Sequence, residues 1–565
     1  MRWTIKPTPE SGKVKHLCDA LNIDEITATL LAQRGIETFE EARKFFRPEL
    51  EDLHDPYLMK DMDKAVSRIE SAIENGENIL VFGDYDVDGT TAVSLVSSYL
   101  RTFYGNVATY IPDRYDEGYG ISFKGIDFAD DNGCSLIIAL DCGIKSIDHV
   151  AYANKKNIDF IICDHHRPGE FLPDAVAVLD PKRNDCHYPY DELCGCGVGF
   201  KLIQALGKNR NETIEDLVPY LDLVATAIAA DIVPITGENR ILAKFGLEVI
   251  NTDPRPGIKA MIHQINKKEL TITDVVFIIA PRINAAGRIK HGNHAVELLT
   301  ERNFEQAQQF ASEIERYNTD RKDLDKVITK EALLQIQTNN EHENYTTVVF
   351  QEDWHKGVIG IVASRLIETY YRPTLVFTKS GDKYSASARS VHGFDVYNAL
   401  ECCVEHLEQF GGHMYAAGLT LKEENYSNFK NAFEDIVKAT IHPDMRIPEI
   451  AINAEINLDQ ITPKLMRILK QFEPFGPQNM TPVFVTKELI DTGFAKTLGA
   501  DNEHLKLHVK QQNTVGINAI GFGLGHKIGL TKKQKTFQAA YCIDENEWNG
   551  NVTIQLRLKD IKANE

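Results

Sequence analysis

The sequence predicts an α/β protein with several domains: a parallel sheet, a long connecting helix, a second α/β domain and a C-terminal β-barrel. Three observations predict this arrangement. Short apolar runs alternate with helical periodicity from about residue 77, as in a parallel sheet covered on both faces. Residues 301–337 form one charged helical stretch without Gly or Pro, and strand-like runs crowd the region after residue 445.

The first part of the chain is expected to fold as an N-terminal helical segment followed by the parallel-sheet domain. Leucine and alanine periodicity predicts helices over about residues 15–75, and the N-terminal helical segment is placed at residues 1–65. The sheet domain is placed at residues 66–300. Its strands are predicted from five apolar runs: NILVF (78–82), VATYI (107–111), SLIIAL (135–140), DFIIC (159–163) and AVAVL (175–179).

The remaining chain is divided into a connecting helix over 301–340, a second α/β domain over 341–445 and a barrel over 446–565. Five or six strand-like runs in the last region indicate a small antiparallel barrel, for which the OB-fold is the obvious candidate. Two aromatic residues of this region, Phe475 and Phe522, are expected to be core residues rather than stacking surfaces.

Charge and composition limit the function. The 565-residue chain has 62 Lys and Arg against 82 Asp and Glu, a net charge of −20. This excludes non-specific nucleic-acid binding by the whole surface but permits a local basic groove. No apolar run reaches about 18 residues, and the first residues lack an apolar signal core. We therefore expect a cytoplasmic protein without membrane association.

The ten cysteines are expected to be mainly buried thiols of a reducing compartment. The densest group is CGCG at Cys194 and Cys196, with Cys186 and His187 upstream, and zinc is the alternative there. The spacing matches none of the common zinc patterns, so the thiol interpretation is favoured.

The stretch GDYDVDGT (83–90) places Asp84, Asp86 and Asp88 on alternate residues after an apolar strand. In an extended tip these side chains would point to the same side, with Gly89 turning the chain into the next helix. The stretch resembles the start of a calcium loop. However, position 12 of such a loop would be Leu95 instead of Glu, and a strand precedes it instead of a helix.

Other acids and histidines also follow predicted strands or helices. Asp141 follows SLIIAL, Asp164-His165-His166 follows DFIIC, and Asp231 ends an apolar helix before Pro234. Taken singly, each could be a helix cap or part of a turn. Ligands bind beyond the carboxyl ends of parallel strands, so the coincidence favours one metal site. Several carboxylates with imidazole suit Mg²⁺ or Mn²⁺, and this much negative charge calls for two ions.

These residues together resemble the DHH phosphoesterase superfamily, named for the triplet at Asp164-His165-His166. The motifs VFGDYDVDGTTA, LDCGI, CDHH, AIAADIVP, PRINAAGR, WHKGVIGIVASRL and GGHMYAAG resemble the RecJ family of single-stranded-DNA-specific exonucleases in order and spacing. The resemblance covers about residues 70–420, and FEPFGPQNMTPVF (472–484) extends it weakly into the barrel.

The resemblance implies 5′→3′ hydrolysis of single-stranded DNA to 5′-mononucleotides with two Mg²⁺ or Mn²⁺ ions, in DNA repair and recombination. It implies these metal ligands: Asp86, Asp88, Asp141, His165 and Asp231, with Asp84 as a further acid of the first motif. His166 would contact the scissile phosphate. The implied catalytic residues are Asp86, Asp88, Asp141, His165, His166 and Asp231. Asp164 would orient the histidines.

The resemblance also implies substrate contacts outside the acidic cluster. The second α/β domain resembles the DHH-associated domain, whose SASARS segment would bind the 5′-phosphate through Ser387 and Arg389. Residues 355–392 carry six Lys or Arg against two acids, which gives a local basic character. The remaining implied contacts are Arg114, Arg282 and His413. The glycines of GGHMYAAG would serve either close backbone approach or helix packing.

Two alternative functions remain open from the sequence. One is a DHH-type phosphodiesterase of short oligonucleotides or cyclic dinucleotides, and the other is a catalytically inactive DHH scaffold. The C-terminal barrel favours a polymer substrate, and every matched acidic position is filled. The expected partners are single-stranded DNA with a 5′ end, a single-stranded-DNA-binding protein and a helicase. The chain is expected to be a monomer.

Overall fold

A computed structural model of the chain describes residues 1–263, 265–512, 514–532, 535–548 and 550–564. The chain divides into two compact units. The larger unit consists of Trp3–Gly287, His291–Ser312 and Ala451–Glu565, and the smaller unit of Met1–Arg2, Arg288–Lys290 and Glu313–Ile450.

The N-terminal segment is helical, as expected. Its elements are β1 (Arg2–Ile5), α1 (Ser11–Leu21), α2 (Glu25–Ala32), α3 (Phe39–Phe46) and α4 (Met62–Glu74). Thr38 caps α3 in a capping box with Glu41, which explains why the helix begins at Phe39. The buried leucines of α2 pack into the same core as the C-terminal barrel, so this segment is part of the larger unit.

The parallel sheet of the larger unit has five strands in the order β3-β2-β4-β5-β6, and every neighbouring pair is parallel. Its strands and connecting helices are β2 (Asn78–Gly83), α5 (Val87–Leu100), β3 (Val107–Tyr110), α6 (Phe123–Asp131), β4 (Cys134–Leu140), α7 (Ile147–Lys155), β5 (Asp159–Cys163) and β6 (Ala177–Leu179). The predicted strands are confirmed. Apart from the edge strand β3, they are buried on both faces, which explains their continuous apolar sequences.

Helices complete this domain after the sheet. They are α8 (Gly195–Asn209), α9 (Ile214–Leu217), α10 (Leu221–Ala230), α11 (Gly237–Thr252), α12 (Pro256–Ile262), α13 (Ile272–Asp274), a π-helical turn (Val275–Ile279), α14 (Ala280–Ile289) and α15 (Asn293–Thr300). Helices α5, α8 and α10 pack against one another. Helices α6 and α7 contribute to the core with the sheet strands. The connecting helix is present as α16 (Phe304–Thr338).

The smaller unit contains a second α/β domain. Its elements are β7 (Thr347–Phe350), α17 (Ile359–Thr369), β8 (Thr374–Ser380), β9 (Lys383–Arg389), α18 (Val396–Glu401), β10 (Gln409–His413), β11 (Ala416–Lys422) and α19 (Tyr426–Thr440). The sheet order is β10-β11-β9-β8-β7. Only the β7–β8 pair of this sheet is parallel, and β8, β9, β11 and β10 are antiparallel neighbours in that order.

The C-terminal region is a barrel, as predicted. Its elements are β12 (Glu449–Ile452), β13 (Ala454–Glu455), α20 (Pro463–Gln471), β14 (Phe484–Asp491), β15 (Lys496–Leu498), β16 (His504–Gln511), β17 (Ile517–Gly521), β18 (Phe537–Trp548) and β19 (Asn551–Ala563). The strand order is β13-β14-β18-β19-β17-β16-β15, and β14 also pairs with β16. This additional pairing closes five strands into an OB-like barrel.

Candidate active site

The acidic stretch after β2 does not form the extended tip expected from its sequence. Helix α5 begins at Val87, so Asp86 is its N-cap and Asp88 lies in its first turn. The Asp86 Oδ1 atom accepts a hydrogen bond from the Gly89 N–H at 3.0 Å. A Cβ atom at Gly89 would lie 2.4 Å from the Asp84 carbonyl oxygen. The prediction of one-sided alternation is therefore wrong, because the capping bond starts the helix two residues early.

Asp88 is buried and is held by the N-terminus of α8. The Gly195 and Cys196 N–H groups each donate to a different carboxylate oxygen of Asp88 at 2.7 Å. These donors come from the CGCG motif, which therefore holds a metal-ligand candidate through its backbone. The cysteines of the described structure are free thiols. In the described residues, the side-chain groups that could hold a metal contain no cysteine.

Asp141 follows β4 in the left-handed backbone conformation, with φ +59°. Its N–H donates to the Cys163 carbonyl at 2.8 Å, which extends the pairing of β4 with β5 by one residue. The Asp141 side chain lies directly against α8, since a Cβ atom at Gly195 would be 2.5 Å from the Asp141 Cβ. A glycine is needed at position 195 for this approach.

His165 lies at the centre of the cluster. Its Nε2 atom is 3.2 Å from Asp141 Oδ1, 3.6 Å from Asp231 Oδ2 and 3.7 Å from Asp88 Oδ2. Two groups of residues offer ligand atoms that all lie within 4.8 Å of one another: Asp141 with His165 and His166, and Asp88 with His165 and Asp231. The cluster thus joins the ends of two strands, one helix start and one helix end.

The electrostatics of the cluster fit a divalent cation. Burial, followed by the charge of Asp86, raises the pKa of Asp88 to about 7. Loss of solvent around the carboxylate, followed by the charge of Asp88, raises the pKa of Asp231 to about 8. Burial lowers the pKa of His165 to about 3, so its imidazole is neutral. Carboxylates forced together beside a neutral imidazole are destabilised, and oxygen and imidazole donors suit Mg²⁺ or Mn²⁺.

Asp84 and Asp86 lie at the edge of this arrangement. Asp84 is fully buried, and its Oδ1 accepts from the Gly120 N–H at 3.1 Å. Burial, followed by the charge of Asp86, raises the pKa of Asp84 to about 8. Asp86 is half-buried and also raises the pKa of Asp88 and Asp141. Neither Asp84 nor Asp86 belongs to the two close ligand groups in the described residues.

Asp164 holds the histidine pair in place. Its Oδ1 accepts from the backbone N–H groups of His165 and His166 and lies 2.7 Å from His166 Nδ1. Its Oδ2 accepts from the Ile144 N–H at 2.9 Å. Burial works to raise the pKa of Asp164, but the hydrogen bond and charge of His166 outweigh it and lower this pKa to about 2.

His166 lies beside His165 and is one-third exposed, with its Nδ1 atom 3.9 Å from Asp141 Oδ1. Its Nε2 atom lies 3.1 Å from the Tyr119 hydroxyl. Burial works to lower the pKa of His166, but the hydrogen bond with Asp164 outweighs it and raises this pKa to about 9. His166 is therefore a cation at neutral pH and can donate hydrogen bonds to a phosphate.

Arg114 and Arg282 are the other predicted substrate contacts of the larger unit. The Arg114 guanidinium stacks on the Tyr85 ring, 3.9 Å from its centroid. The positive charge of Arg114 works to lower the pKa of Asp84, so Arg114 lies near the acidic stretch. Arg282 lies on α14 and donates to the Ile278 carbonyl at 2.5 Å.

In the smaller unit, Ser387 and Arg389 converge on the first turn of α17. A Cβ atom at Gly360 would lie 3.1 Å from Arg389 Nη2 and 3.3 Å from Ser387 Oγ. Burial lowers the pKa of Arg389 below its ordinary value. A serine, an arginine and a helix N-terminus at one point form a set of donors suited to a phosphate.

His413 ends β10, two strands away from Arg389. It pairs with Ala416, which in turn pairs with Arg389. Gly411 and Gly412 lie on β10, so the helix-packing interpretation of the GGHMYAAG glycines is wrong. A Cβ atom at Gly412 would lie 2.4 Å from the Ala416 carbonyl, so this glycine serves the close approach of two strands.

Two features of the site were missed in the sequence. Tyr119 is half-exposed and contacts His166, but the sequence marks it only as an aromatic residue between Gly118 and Gly120, both of which have positive φ. The second feature is the pair of backbone N–H donors in the CGCG motif, which cannot be predicted from the side chains of that motif.

Of the two barrel aromatic residues predicted to be in the core, one is exposed. Phe522 is 64% exposed and contacts the His504 ring, so its prediction as a core residue is wrong. It follows β17 at a turn, where the chain leaves the barrel wall. Phe475 packs against the barrel core, as expected.

Comparison with known proteins agrees with this fold and site. Residues 78–228 match the DHH family N-terminal domain, residues 342–439 the DHHA1 domain and residues 452–560 the RecJ OB domain. The single-stranded-DNA-specific exonuclease RecJ of Bacillus subtilis is 35% identical over 570 residues, covering 100% of this chain and 71% of that protein. RecJ of Escherichia coli is 31% identical, covering 94% of this chain and 95% of that protein.

Solved structures show the same architecture. The crystal structure of RecJ in complex with Mn²⁺ from Thermus thermophilus matches with a TM-score of 0.85 and 26% identity, covering 100% of this chain and 80% of that one. An exonuclease RecJ bound to manganese matches with a TM-score of 0.61 and 29% identity, covering 71% of this chain and 99% of that one. The fold and site therefore define a DHH phosphoesterase. Within that class, the chain belongs to the RecJ exonuclease family.

Proposed function

We propose that the protein is a metal-dependent exonuclease that degrades single-stranded DNA from its 5′ end and releases 5′-mononucleotides. The observation that carries this proposal is the cluster of Asp88, Asp141, His165 and Asp231 at one edge of the sheet. This cluster lies in a chain whose relatives are named single-stranded-DNA-specific exonucleases over nearly its full length. The inactive-scaffold alternative predicts that such acids are lost, whereas they are present and gathered.

The residues proposed to hold two Mg²⁺ or Mn²⁺ ions are Asp84, Asp86, Asp88, Asp141, His165 and Asp231. Buried atoms without a hydrogen-bond partner in the described structure support this assignment: Asp141 Oδ1, His165 Nε2 and Asp84 Oδ2. A buried polar atom without a partner is costly, and cations bound at these positions would remove that cost. When bound, the ions supply Lewis-acid stabilisation of charge on the phosphate and make water a better nucleophile.

The protein's own groups position the substrate around this cluster. Protonated His166 would donate a hydrogen bond to the scissile phosphate, with Asp164 fixing the ring and sustaining its charge. Arg114 and Arg282 would bind the backbone of the strand. Cation stacking on Tyr85 already limits the orientation of the Arg114 guanidinium, so its side chain loses less freedom on binding.

The polarity of digestion is assigned to the smaller unit. Ser387 and Arg389 would bind the terminal 5′-phosphate at the start of α17, and His413 would contact the strand beside them. The OB-like barrel would bind the single strand through charge and stacking. A phosphodiesterase of dinucleotides has no need of this barrel.

We also make proposals about the domain boundaries, the oligomeric state, the location and the partners of the protein. We propose the domain boundaries 1–65, 66–300, 301–340, 341–445 and 446–565. We also propose a monomer that acts in the cytoplasm in DNA repair and recombination, with a single-stranded-DNA-binding protein and a helicase as partners. Among the described residues, no helix combines the length and apolarity needed to cross a membrane.

One digestion experiment tests the proposed function. Long single-stranded DNA, with and without a 5′-phosphate and labelled at either end, is incubated with Mn²⁺ and the wild-type protein or Asp141→Ala. We expect mononucleotides from the 5′ end with the wild type and a loss of at least about 100-fold for Asp141→Ala. Digestion from the 3′ end, preference for dinucleotides, or near-normal activity of Asp141→Ala would contradict the proposal.

A further inference from the structure

Ile232 has an unusual backbone conformation next to the metal-ligand candidate Asp231. Its φ is +58°, in the left-handed region. Asp231 is the C-cap of α10, so Ile232 occupies the following position, where a left-handed residue is usually glycine. A β-branched side chain in this region is a genuine outlier and is energetically unfavourable. Glycine would make the same turn without this strain.

The turn is held rigidly by the chain that follows it. The Pro234 carbonyl accepts hydrogen bonds from Asn239 Nδ2 at 3.1 Å and from the Tyr190 hydroxyl at 3.4 Å. The Ile235 N–H donates to the Pro477 carbonyl at 2.9 Å. These contacts fix the backbone after Ile232 independently of the Ile232 side chain. Strain that the surroundings enforce in this way is typical of functional sites.

The Ile232 side chain does not contribute to a core that would compensate for this strain. It is 65% exposed, although its neighbour Val233 is buried at 8% exposure. Because consecutive Cα atoms are about 3.8 Å apart, the Ile232 side chain lies within roughly 10 Å of the Asp231 carboxylate. The isoleucine therefore presents an apolar surface beside the acidic cluster, at a position where glycine would be less strained.

We propose that Ile232 is a substrate-contacting residue that packs against the base or sugar of the nucleotide whose phosphate lies at the cluster. This inference rests on the proposed function. Ile232 is exposed and directly follows the ligand candidate Asp231, so a DNA strand whose phosphate lies at the cluster passes close to its side chain. An aliphatic side chain has no hydrogen-bond donor or acceptor, so it contacts all four bases equally. An exonuclease that digests any sequence needs a contact of this kind.

The first test compares stability with activity. Three variants are prepared: Ile232→Gly and Ile232→Asn, which both accept the left-handed conformation, and Ile232→Val, which keeps an aliphatic side chain. Asn211→Gly is the matched control, since Asn211 also has a positive φ of 59° and is exposed elsewhere in the larger unit. The melting temperature and the kcat and KM for a 5′-phosphorylated single strand are measured with Mn²⁺.

We expect Ile232→Gly and Ile232→Asn to melt at or above the wild-type temperature while kcat/KM falls about 5- to 10-fold, mainly through KM. Ile232→Val should recover most of this loss, and Asn211→Gly should digest DNA as the wild type does. A kcat/KM within twofold of wild type for both Ile232→Gly and Ile232→Asn would overturn the inference. Wild-type protein that fails to digest the strand would instead overturn the proposed function.

The second test asks whether Ile232 contacts the nucleotide itself. Substrates with an abasic site at each of the first three 5′ positions are digested by the wild type and by Ile232→Gly. At the contacted position, the abasic site should lower the wild-type kcat/KM several-fold and leave Ile232→Gly within twofold of its value on the intact strand. Equal losses for both proteins at all three positions would exclude the base contact.

Discussion

The Nε2 atom of His165 lies 3.2 Å from Oδ1 of Asp141, and within the described part of the chain neither atom has a hydrogen-bond partner. Carboxylate oxygens of Asp231 and Asp88 lie 3.6 Å and 3.7 Å from the same nitrogen. Without a cation, this cluster can reduce its charge repulsion only by retaining protons. Metal binding and proton release are therefore coupled in this protein.

The stability of the metal-free protein should fall as pH rises above 6.5. Asp88, Asp231 and His166 have native pKa values of about 7, about 8 and about 9, all above their unfolded values. Their contribution to stability is present at low pH and is lost as pH rises through these native values. His165, with a native pKa of about 3, acts in the opposite direction only below pH 6.5.

Thermal unfolding in EDTA between pH 6.5 and 9 measures this effect. Saturating Mn²⁺ should raise the melting temperature and reduce its dependence on pH, because bound carboxylates no longer take up protons. Asp231→Asn in EDTA should show a shallower dependence than wild type. The same pH dependence with and without Mn²⁺ would be inconsistent with a metal site at this cluster.

Gly195→Ala should weaken metal binding because of its contact with Asp141. The added Cβ atom would lie 2.5 Å from Asp141 Cβ and 2.7 Å from its Oδ1, which forces the carboxylate away from His165. We expect Mn²⁺ affinity to fall about 10- to 100-fold, as measured by calorimetry.

Gly197→Ala is the matched control on the same helix, α8. Its Cβ atom would be 3.4 Å from Leu193, an ordinary contact, and alanine is favoured over glycine inside a helix. Gly197→Ala should bind Mn²⁺ as the wild type does. Equal losses in the two variants would show that α8 is sensitive to any side chain and that the approach of Gly195 to Asp141 is not the cause.

Arg240→Met should destabilise the larger unit. The buried Arg240 guanidinium stacks on Phe45 and donates to five carbonyl groups, those of Phe45, Gln471, Phe472, Glu473 and Pro474. Methionine retains the apolar stem but removes all five hydrogen bonds, and of the five carbonyls those of Phe472 and Pro474 keep a bond from Asn479. The expected cost is about 2–4 kcal/mol in the free energy of unfolding. Denaturant unfolding measures this change.

Limited proteolysis provides a second measurement for Arg240. The variant should be cleaved sooner than wild type in the loop after α20, which Arg240 holds. Lys244→Ala, on the same helix, removes one hydrogen bond of 3.5 Å and should have little effect. Unchanged unfolding and cleavage of Arg240→Met would mean that packing alone holds this loop.

The sequence predicts the parallel sheet because both of its faces are buried. Burial on both faces produces uninterrupted apolar runs, and the carboxyl ends of parallel strands lie at one edge. Topology therefore brings Asp88, Asp141 and His165 together although they are far apart in sequence. The grouping of these three residues could be predicted because each comes after a predicted strand of the same parallel sheet.

Other features depend on geometry that residue type does not reveal. The backbone N–H groups of Gly195 and Cys196 hold Asp88, but every residue except proline has such a group. The early start of α5 depends on which of three aspartates acts as the cap. The strain at Ile232 is a property of the backbone and has no counterpart in composition.

Arg389→Met should abolish any preference for a 5′-phosphate. Arg389 and Ser387 lie at the N-terminal turn of α17, where the helix dipole also favours an anion. Hydrogen bonds to a charged group contribute about 1.5–3 kcal/mol each, so the wild type should prefer a 5′-phosphate over a 5′-hydroxyl by about 10- to 100-fold in kcat/KM. Competition between the two substrates measures this ratio directly.

Lys383→Met is the control for this prediction, because it removes a positive charge from the same strand, β9. Lys383 pairs with Glu408 at 3.3 Å and lies six residues from Arg389, about 20 Å along the strand. The control should retain the 5′-phosphate preference, whereas Arg389→Met should digest both substrates at the slower rate. If Lys383→Met lost the preference equally, the overall positive charge of this region would be responsible for the 5′-phosphate preference. If Arg389→Met kept it, the 5′-phosphate site would lie elsewhere.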